Sequence, residues 1–577
     1  VGFYIPPDGK TIFAATDKGV YRSDDGGVSW IKKTRGLPWL DIRSFCGASD
    51  ERRTVLYCTV PSRERKGGFQ GGVFKSEDRG DTWVSAMGKG INTRLGKVDR
   101  WGEGDIAQYY LLGIAEHVPD TVYVTNTGTG YWPPHHTTVY KTVDGGNSWK
   151  FCFNGDPRFG GQNVTLSWMA YDINWGWGGS CMQSGFTVNR MNPDQAIYTN
   201  MCGCYITTDG GTTWFDASSR PASGQGPRRK GLRWESVGLE VSTTWDVVFD
   251  PFVKGNLYIC YTDFGFARSE DRGISWRYAA NGCPWPSNFY ELVPDPEKKG
   301  VFYAACASHH DIPHWTNIER APGPGGVCIS KDHCKTWKPL TKGLPNAPAR
   351  SILLDPSSPV DSRTLWVAMW GHGVYKTTDG GRTWTKKSFG LGKEGNMHCW
   401  MLKRTESGNI YCSVTGKRKG SRFPVSGDLY RSTDGGETWT PLTSKLNLAW
   451  PTGFAVDPHN ENVIWLAACS PPGRPEGGLY KTTDGGKTWD RILKDSDLPG
   501  WIQAFYVTLG PRRPGVLYLS TMRGLWISVD HGETWKEFKG VPFAWIHRVR
   551  FDPADENMIW VNTFGAGVWY GPALGLE

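Results

Sequence analysis

The sequence predicts an all-β fold, an array of about ten four-stranded propeller blades, and three observations carry that prediction. An octet of the form Ser/Thr-x-Asp-x-Gly-x-x-Trp, or a one-letter variant of it, occurs ten times in 577 residues. Its aspartates are Asp25, Asp78, Asp144, Asp209, Asp271, Asp332, Asp379, Asp434, Asp484 and Asp530, and they recur every 46 to 66 residues, the period of one blade. Between octets lie short runs rich in Val, Ile, Tyr and Trp, bounded by Asp-Pro or Gly, which is strand chemistry and not helix chemistry.

The unit from Arg350 to Trp384 shows the elements in order. Ser351-Ile352-Leu353-Leu354 forms a first strand ended by Asp355-Pro356; Thr364-Leu365-Trp366-Val367-Ala368 and Gly373-Val374-Tyr375-Lys376 form a second and third; the octet follows as the turn into a fourth. In that turn the Asp and Ser/Thr side chains can bond the turn's own amides, the glycine supplies positive φ, and the Trp packs between blades. The ten octet aspartates are therefore read as hairpin staples with no catalytic role.

Composition fits a large β protein: 13% aromatic residues with 30 Trp, 74 Gly, and no apolar run long enough to span a membrane. Val1 falls inside a first strand without a basic or apolar leader before it, so a signal peptide is expected to be absent or already removed. The 14 Cys show no CxxC pair, which argues against zinc, and neither a metal nor a cofactor is expected. Cys46 with Cys58, Cys399 with Cys412, and Cys328 with Cys334 could be disulfides of an exported protein or buried thiols. A net charge of +8 is mild for this length, and no Lys/Arg run resembles a nucleic-acid arm.

Functional information concentrates on the blade face opposite the octets. Long inserts between second and third strands carry Tyr131-Trp132 with His135-His136, and His309-His310 with His314-Trp315. Other loops of that face add Trp175, Trp177, Trp285 and Trp370, and exposed indoles are platforms for the apolar faces of sugar rings. The candidate substrate-binding residues are Tyr131, Trp132, Trp175, Trp177, Trp285, Trp315 and Trp370. Two tight turns at one blade position, Thr16-Asp17-Lys18-Gly19 and Thr262-Asp263-Phe264-Gly265, would each project a carboxylate onto that face. Asp17 and Asp263 are thus a candidate acid/base pair, and the competing reading is that Asp is simply a good turn residue there.

The segments Phe13 to Arg22, Val122 to Trp149, and Gly238-Leu239-Glu240 through Phe266 resemble glycoside hydrolase family 74, the tandem-propeller endoglucanases and xyloglucanases built from Asp-box blades. The resemblance covers residues 1 to 40 and about 120 to 280. Val20 and Phe266 replace the second glycine of each Asp turn, and fewer blades separate the two Asp than in the family. It implies a general base at Asp17, a general acid at Asp263, and an inverting, endo-acting hydrolysis of a β-glucan or xyloglucan-type polysaccharide. It also implies two propellers facing a cleft, with an N-terminal one over 1–237 and a C-terminal one over 238–577, strands within 546–570 helping to close a ring. One ten-bladed ring, as in sortilin-type receptors, is the alternative. In a single ring so wide the pair would stand too far apart to share one bond, whereas an inverting hydrolase needs about 6.5 to 9.5 Å. Two other functions stay open: a non-catalytic propeller binding glycan or protein, and a propeller using the basic surplus on an acidic polysaccharide. A secreted or extracytoplasmic monomer with a polysaccharide as partner, no nucleic acid and no membrane span completes the expectation.

Overall fold

The computed structural model describes residues 1–577 apart from 66–67, 92–94, 99–103, 128–137, 156–160, 174–182, 201–202, 226–228, 240–241, 309–322, 421, 471–475, 501, 512–514 and 574–577. Contacts divide the chain into two units, Val1–Leu239 and Glu240–Glu577. Antiparallel sheets with strands in sequence order make up both, as alternating apolar runs joined by short turns require. No described helix is long and apolar enough to cross a membrane.

In the first unit, four such sheets follow one another, beginning at Gly2–Tyr4, Ser44–Ser49, Gln108–Ile114 and Gln183–Asn189. The fourth gains Val164–Thr165 as a fifth, parallel strand along Trp214–Asp216. A short helix, Trp168–Asp172, is held by its own indole, since Trp168 stacks on Trp234 with centroids 4.2 Å apart.

Every octet is a third-to-fourth-strand turn closed by its own side chains. In the turn of Asp379, the Thr377 hydroxyl donates to Oδ1 at 2.6 Å and accepts the Gly381 N–H at 3.1 Å. The same carboxylate accepts the Thr383 N–H at 3.0 Å and the Thr383 hydroxyl at 2.5 Å. Cys334, which stands where the other octets have glycine, is driven to the same left-handed backbone at φ 60°. In seven turns the terminal Trp donates its indole N–H to a carbonyl of the preceding blade: Trp83 to Lys33, Trp149 to Ala86, Trp214 to Cys152, Trp337 to Ala279, Trp384 to Leu340, Trp439 to Lys387 and Trp489 to Leu442. Trp30 and Trp276, in the first blade of each unit, donate instead to Gly27 and Gly273 of their own turn, as Trp535 does to Gly532.

These turns have an acid signature. The Ser148 and Thr534 hydroxyls, followed by the backbone amides beside them, hold the Asp144 and Asp530 carboxyls down at about 2. A folded-state pKa below the unfolded value near 3.9 gives stability that is present above the unfolded value and lost as pH falls through the folded one. The thermal midpoint, followed by circular dichroism, is expected to hold between pH 7 and 5 and to drop steeply between about pH 4 and 2.

Seven blade sheets, beside a two-stranded ribbon of Lys417–Lys419 and Arg422–Val425, make up the second unit among the described residues, and they close on themselves. Their inner strands are Thr244–Phe249, Asn288–Pro294, Ala349–Leu354, Cys399–Arg404, Trp450–Val456, Ala504–Leu509 and Ile546–Asp552. The last sheet has three strands and no octet, and its Asp555–Thr563 and Val568–Pro572 return the chain to the first sheet. There Thr243 bridges to Phe564, the Gly567 N–H donates to the Ser242 carbonyl at 2.8 Å, and the guanidinium groups of Arg548 and Arg550 clamp Asp246 at 2.6 and 2.7 Å. Asp246 is wholly buried. Because seven sheets close here, the single ten-bladed ring does not form.

Each of the seven inner strands slips register near its start, and the residue left over there is a β-bulge. The seven bulged residues are Trp245, Tyr290, Arg350, Trp400, Thr452, Phe505 and His547, all buried. Arg350 lies among the rings of Trp245, Tyr290 and Trp400, 4.7, 5.2 and 4.6 Å from their centroids, so π faces offset much of the cost of burying its charge. Burial pushes its pKa down to about 10. His547 stacks on Trp245 at 4.5 Å and on Phe505 at 5.2 Å. The 12 described cysteines are free thiols, including all six for which a disulfide was one of the two readings.

Candidate active site

Asp17 and Asp263 occupy equivalent turns, the second-to-third-strand hairpin of the first blade in each unit. Asp17 links Ile12–Thr16 to Gly19–Ser23, with Thr16 opposite Gly19. The Thr16 hydroxyl donates to the Gly19 carbonyl at 3.2 Å and accepts the Lys18 N–H at 2.9 Å, while Gly19 supplies φ 116°. The carboxylate is left 72% exposed, 3.6 Å from the Lys18 ammonium. Thr521-Met522-Arg523-Gly524 builds the same turn: the Thr521 hydroxyl donates to Gly524 at 2.7 Å and accepts from Arg523 at 2.9 Å, and Gly524 has φ 116°. Met522 stands there in the place of Asp17, so the hairpin does not require a carboxylate.

Asp263 is held differently. Its backbone is left-handed, φ 64°, a conformation that Asp tolerates better than most residues but that costs energy unless its surroundings impose it. The imposing residue is Asn288, fully buried at the start of the next blade, whose Oδ1 accepts the Asp263 N–H at 3.1 Å and the Thr262 hydroxyl. Asn288 Nδ2 donates to the Ala307 carbonyl at 3.3 Å, and the Gly265 N–H donates to Ser287 at 2.9 Å. Gly265 has no alternative, since a Cβ there would lie 2.3 Å from the Pro286 carbonyl oxygen. Phe264 and Phe266 are buried beside the turn and Asp263 itself is half-buried.

Among the proposed sugar platforms, Tyr131, Trp132, Trp175, Trp177 and Trp315 lie outside the described residues, as do His135, His136, His309, His310 and His314. Trp285 is half-buried, with one ring edge against Gly326. Trp370 is a correction: its turn folds inward, its ring is 1% exposed and packs edge-on to His398 and Trp400 at 4.8 and 6.5 Å, and it has no face to offer a sugar. Asn288 was not foreseen; it stands 25 residues from Asp263 in another blade, and no local motif marks it.

Residues 430–441 match the BNR/Asp-box repeat family. Over 343 residues the chain is 26% identical to a xyloglucanase of Paenibacillus sp., covering 51% of this chain and 31% of that protein. A xyloglucanase of Hypocrea jecorina (strain QM6a) is 24% identical over 350 residues, covering 54% of this chain and 40% of that protein. The chain therefore spans less than half the length of either relative. Two solved structures share the fold along the whole chain. An ancestral glycoside hydrolase family 74 enzyme has a TM-score of 0.61 at 16% identity and is covered over 78% of its length. The family 74 xyloglucanase of Xanthomonas campestris has a TM-score of 0.55 at 16% identity, over 82% of its length. Boxed turns, seven closing sheets and these likenesses agree that the chain has an Asp-box β-propeller fold that resembles the fold of glycoside hydrolase family 74 enzymes.

Proposed function

We propose that this protein is an endo-acting, inverting glycoside hydrolase of a xyloglucan or related β-glucan, with Asp263 as general acid and Asp17 as general base. The observation that carries the reading is the backbone of Asp263, a carboxylate on a left-handed turn fixed by a buried asparagine of the next blade. Strain of that kind persists where surroundings enforce it, and it clusters at working residues. The Met522 turn adds support, because it shows the Asp17 hairpin forming without its carboxylate. Sequence likeness to two xyloglucanases over half the chain supplies the substrate class. In this scheme the Asp263 carboxyl protonates the departing glycosidic oxygen while the Asp17 carboxylate takes a proton from a water attacking the opposite face of the sugar, so the new hydroxyl has inverted configuration. Half-exposed Trp285 would stack on a flanking sugar, and the same role is proposed for Tyr131, Trp132, Trp175, Trp177 and Trp315.

The test is a panel of soluble polysaccharides assayed for new reducing ends, with product size following cleavage position and NMR following the anomer first released. Xyloglucan chains cut internally with inversion are expected. A second reading, a glycan-binding propeller without activity, is favoured by the 72% exposure of Asp17 and its ordinary pairing with Lys18; retardation on glycan gels with no reducing ends released would establish it.

Asn288 is proposed as a positioning residue. Asn288→Ala removes the acceptor of two donors and is expected to cost about 1 to 3 kcal/mol in stability. Turnover per folded molecule should fall with KM little changed; a variant that is less stable but turns over normally would reduce Asn288 to a structural role.

A further inference from the structure

Cys283, Cys306 and Cys328 lie far apart in sequence and meet at one point, and we propose that their sulfurs form a binding site for a single soft d10 cation of the Cu(I) or Zn(II) class. All three sulfurs lie within 4.8 Å of one another, with Cys328 Sγ and Cys283 Sγ 3.7 Å apart. A cation with metal–sulfur bonds of about 2.3 Å places its sulfurs roughly 3.8 to 4.0 Å apart, whether the ligands are tetrahedral or trigonal. The cluster therefore has the right dimensions without rearrangement of the backbone. Ordinary packing of buried cysteines needs no such convergence: the other described buried thiols, Cys58, Cys152, Cys260, Cys334, Cys399, Cys412 and Cys469, form no three-residue group with His, Cys or carboxylate neighbours among the described residues.

The fold prepares this arrangement. Cys306 and Cys328 stand on adjacent strands of one sheet, Phe302–Ala307 and Gly325–Ser330, where Ala304 pairs with Cys328 and Cys306 with Gly326. The period of two puts both thiols on the same face. Cys283 comes from the preceding blade on a loop that the octet Trp of their own blade pins in place: Trp337 donates from its indole to Ala279 at 2.8 Å and from its backbone to Asn281 at 2.9 Å. Gly282 between them has φ 84° and room for no side chain, since a Cβ would sit 2.4 Å from the Trp337 carbonyl. Cys283 keeps 8% exposure, which leaves a path for an ion, and Cys306 and Cys328 keep none.

The ligand chemistry selects the cation. Three sulfurs with no carboxylate or imidazole joining them among the described residues suit soft ions and disfavour Mg and Ca. On binding, each coordinating thiol gives its proton to solvent as its sulfur bonds to the metal, with no change of oxidation state in protein or ion. Sites of this kind raise stability by mass action, since the unfolded chain holds no such cluster.

The experiment uses the full chain, reduced and held without oxygen. Cd(II) alone is titrated as the optical probe, because cadmium thiolates absorb in the near ultraviolet, and Zn(II) and chelator-buffered Cu(I) are run as separate arms to identify the preferred ion. One equivalent of Cd(II) should bind with a charge-transfer band and raise the thermal midpoint. Cys306→Ser should weaken binding by about 10-fold to 100-fold or more, at least the loss seen when an outer-shell partner of a metal site is removed. Cys469→Ser, a buried thiol outside the cluster, should leave binding unchanged and controls for core damage. If Cys306→Ser fails to fold, Cys283→Ser, at the one ligand that keeps some exposure, carries the test. The absence of a band at one equivalent, an unchanged band in the Cys283 and Cys306 variants, or a Cys283–Cys328 disulfide in protein kept reduced would each overturn the proposal.

Discussion

Asp263→Asn is expected to lower kcat on xyloglucan by about 10² to 10⁴, the range for losing a positioned proton-transfer group, with little change in substrate affinity. Asparagine keeps the shape of the side chain and the capacity for a left-handed backbone, so the Asn288 clamp should survive and the loss should be chemical. Asp17→Asn is expected to fall as far, for a different reason: it binds the attacking water but cannot take its proton. Azide, which needs no base, should restore turnover to Asp17→Asn with a glycosyl azide of inverted configuration, and should do nothing for Asp263→Asn. Asp25→Asn, one strand away in an octet, is the control that should lose stability and keep turnover per folded molecule. Rates within severalfold of wild type in both Asp17 and Asp263 variants would falsify the acid/base assignment and move the protein to the glycan-binding reading.

The largest expected effect on stability belongs to Asp246→Ala. Burial pushes this carboxyl up, but the guanidinium charges of Arg548 and Arg550 more than offset it and hold its pKa below the usual range. Deleting the carboxylate leaves the buried Arg548 guanidinium and the part-exposed Arg550 without their shared anion at the sheet junction that joins the start of the second unit to its end, and breaking buried pairs costs up to about 3 to 5 kcal/mol. Because the chain has two units, one unfolding transition cannot be assumed. Urea melts read by tryptophan fluorescence should be paired with pulse proteolysis and mass spectrometry, which assigns each cleavage to a unit. Only the transition of Glu240–Glu577 should move. Replacing Asp246, Arg548 and Arg550 together by apolar residues of similar volume should recover much of the loss, since no charge is then left buried alone. A loss under about 1 kcal/mol for the single change would mean that the aromatic packing around the axis, and not the ion cluster, holds the ring shut.

The fold was legible because its information is local and repeated. Each octet carries its own turn chemistry, so the hairpins at Asp25 or Asp379 can be read without knowing what surrounds them. The last blade was harder: strands within 546–570 were expected to help close a ring, but without an octet nothing in them fixed how many sheets that ring would have. Asp17 and Asp263 were legible as departures from a turn that elsewhere carries Trp370 or Met522. What holds Asp263 was not, because Asn288 belongs to the next blade and the bond crosses between sheets. Trp370 misled for a related reason: a Trp in a tight turn reads as exposed, and only the neighbouring His398 and Trp400 show that the turn faces inward. The thiol cluster is the extreme case. Cys283, Cys306 and Cys328 are 23 and 22 residues apart, with no spacing rule linking them, and sheet register plus one pinned loop brings them together.

The clasps made by the octet tryptophans all point the same way along the chain. Seven Trp residues reach back to a blade with a lower number, so each docks on a sheet that has already left the ribosome when its own turn emerges. Synthesis at about 5 to 20 residues per second delivers one such turn every few seconds, ample time for a hairpin that forms in microseconds to settle on its predecessor. The nascent protein can therefore grow as a stable edge that advances one blade at a time. Asp246 is the exception to this order: made early, it must wait some 300 residues for Arg548 and Arg550, and until they arrive its carboxylate remains in water.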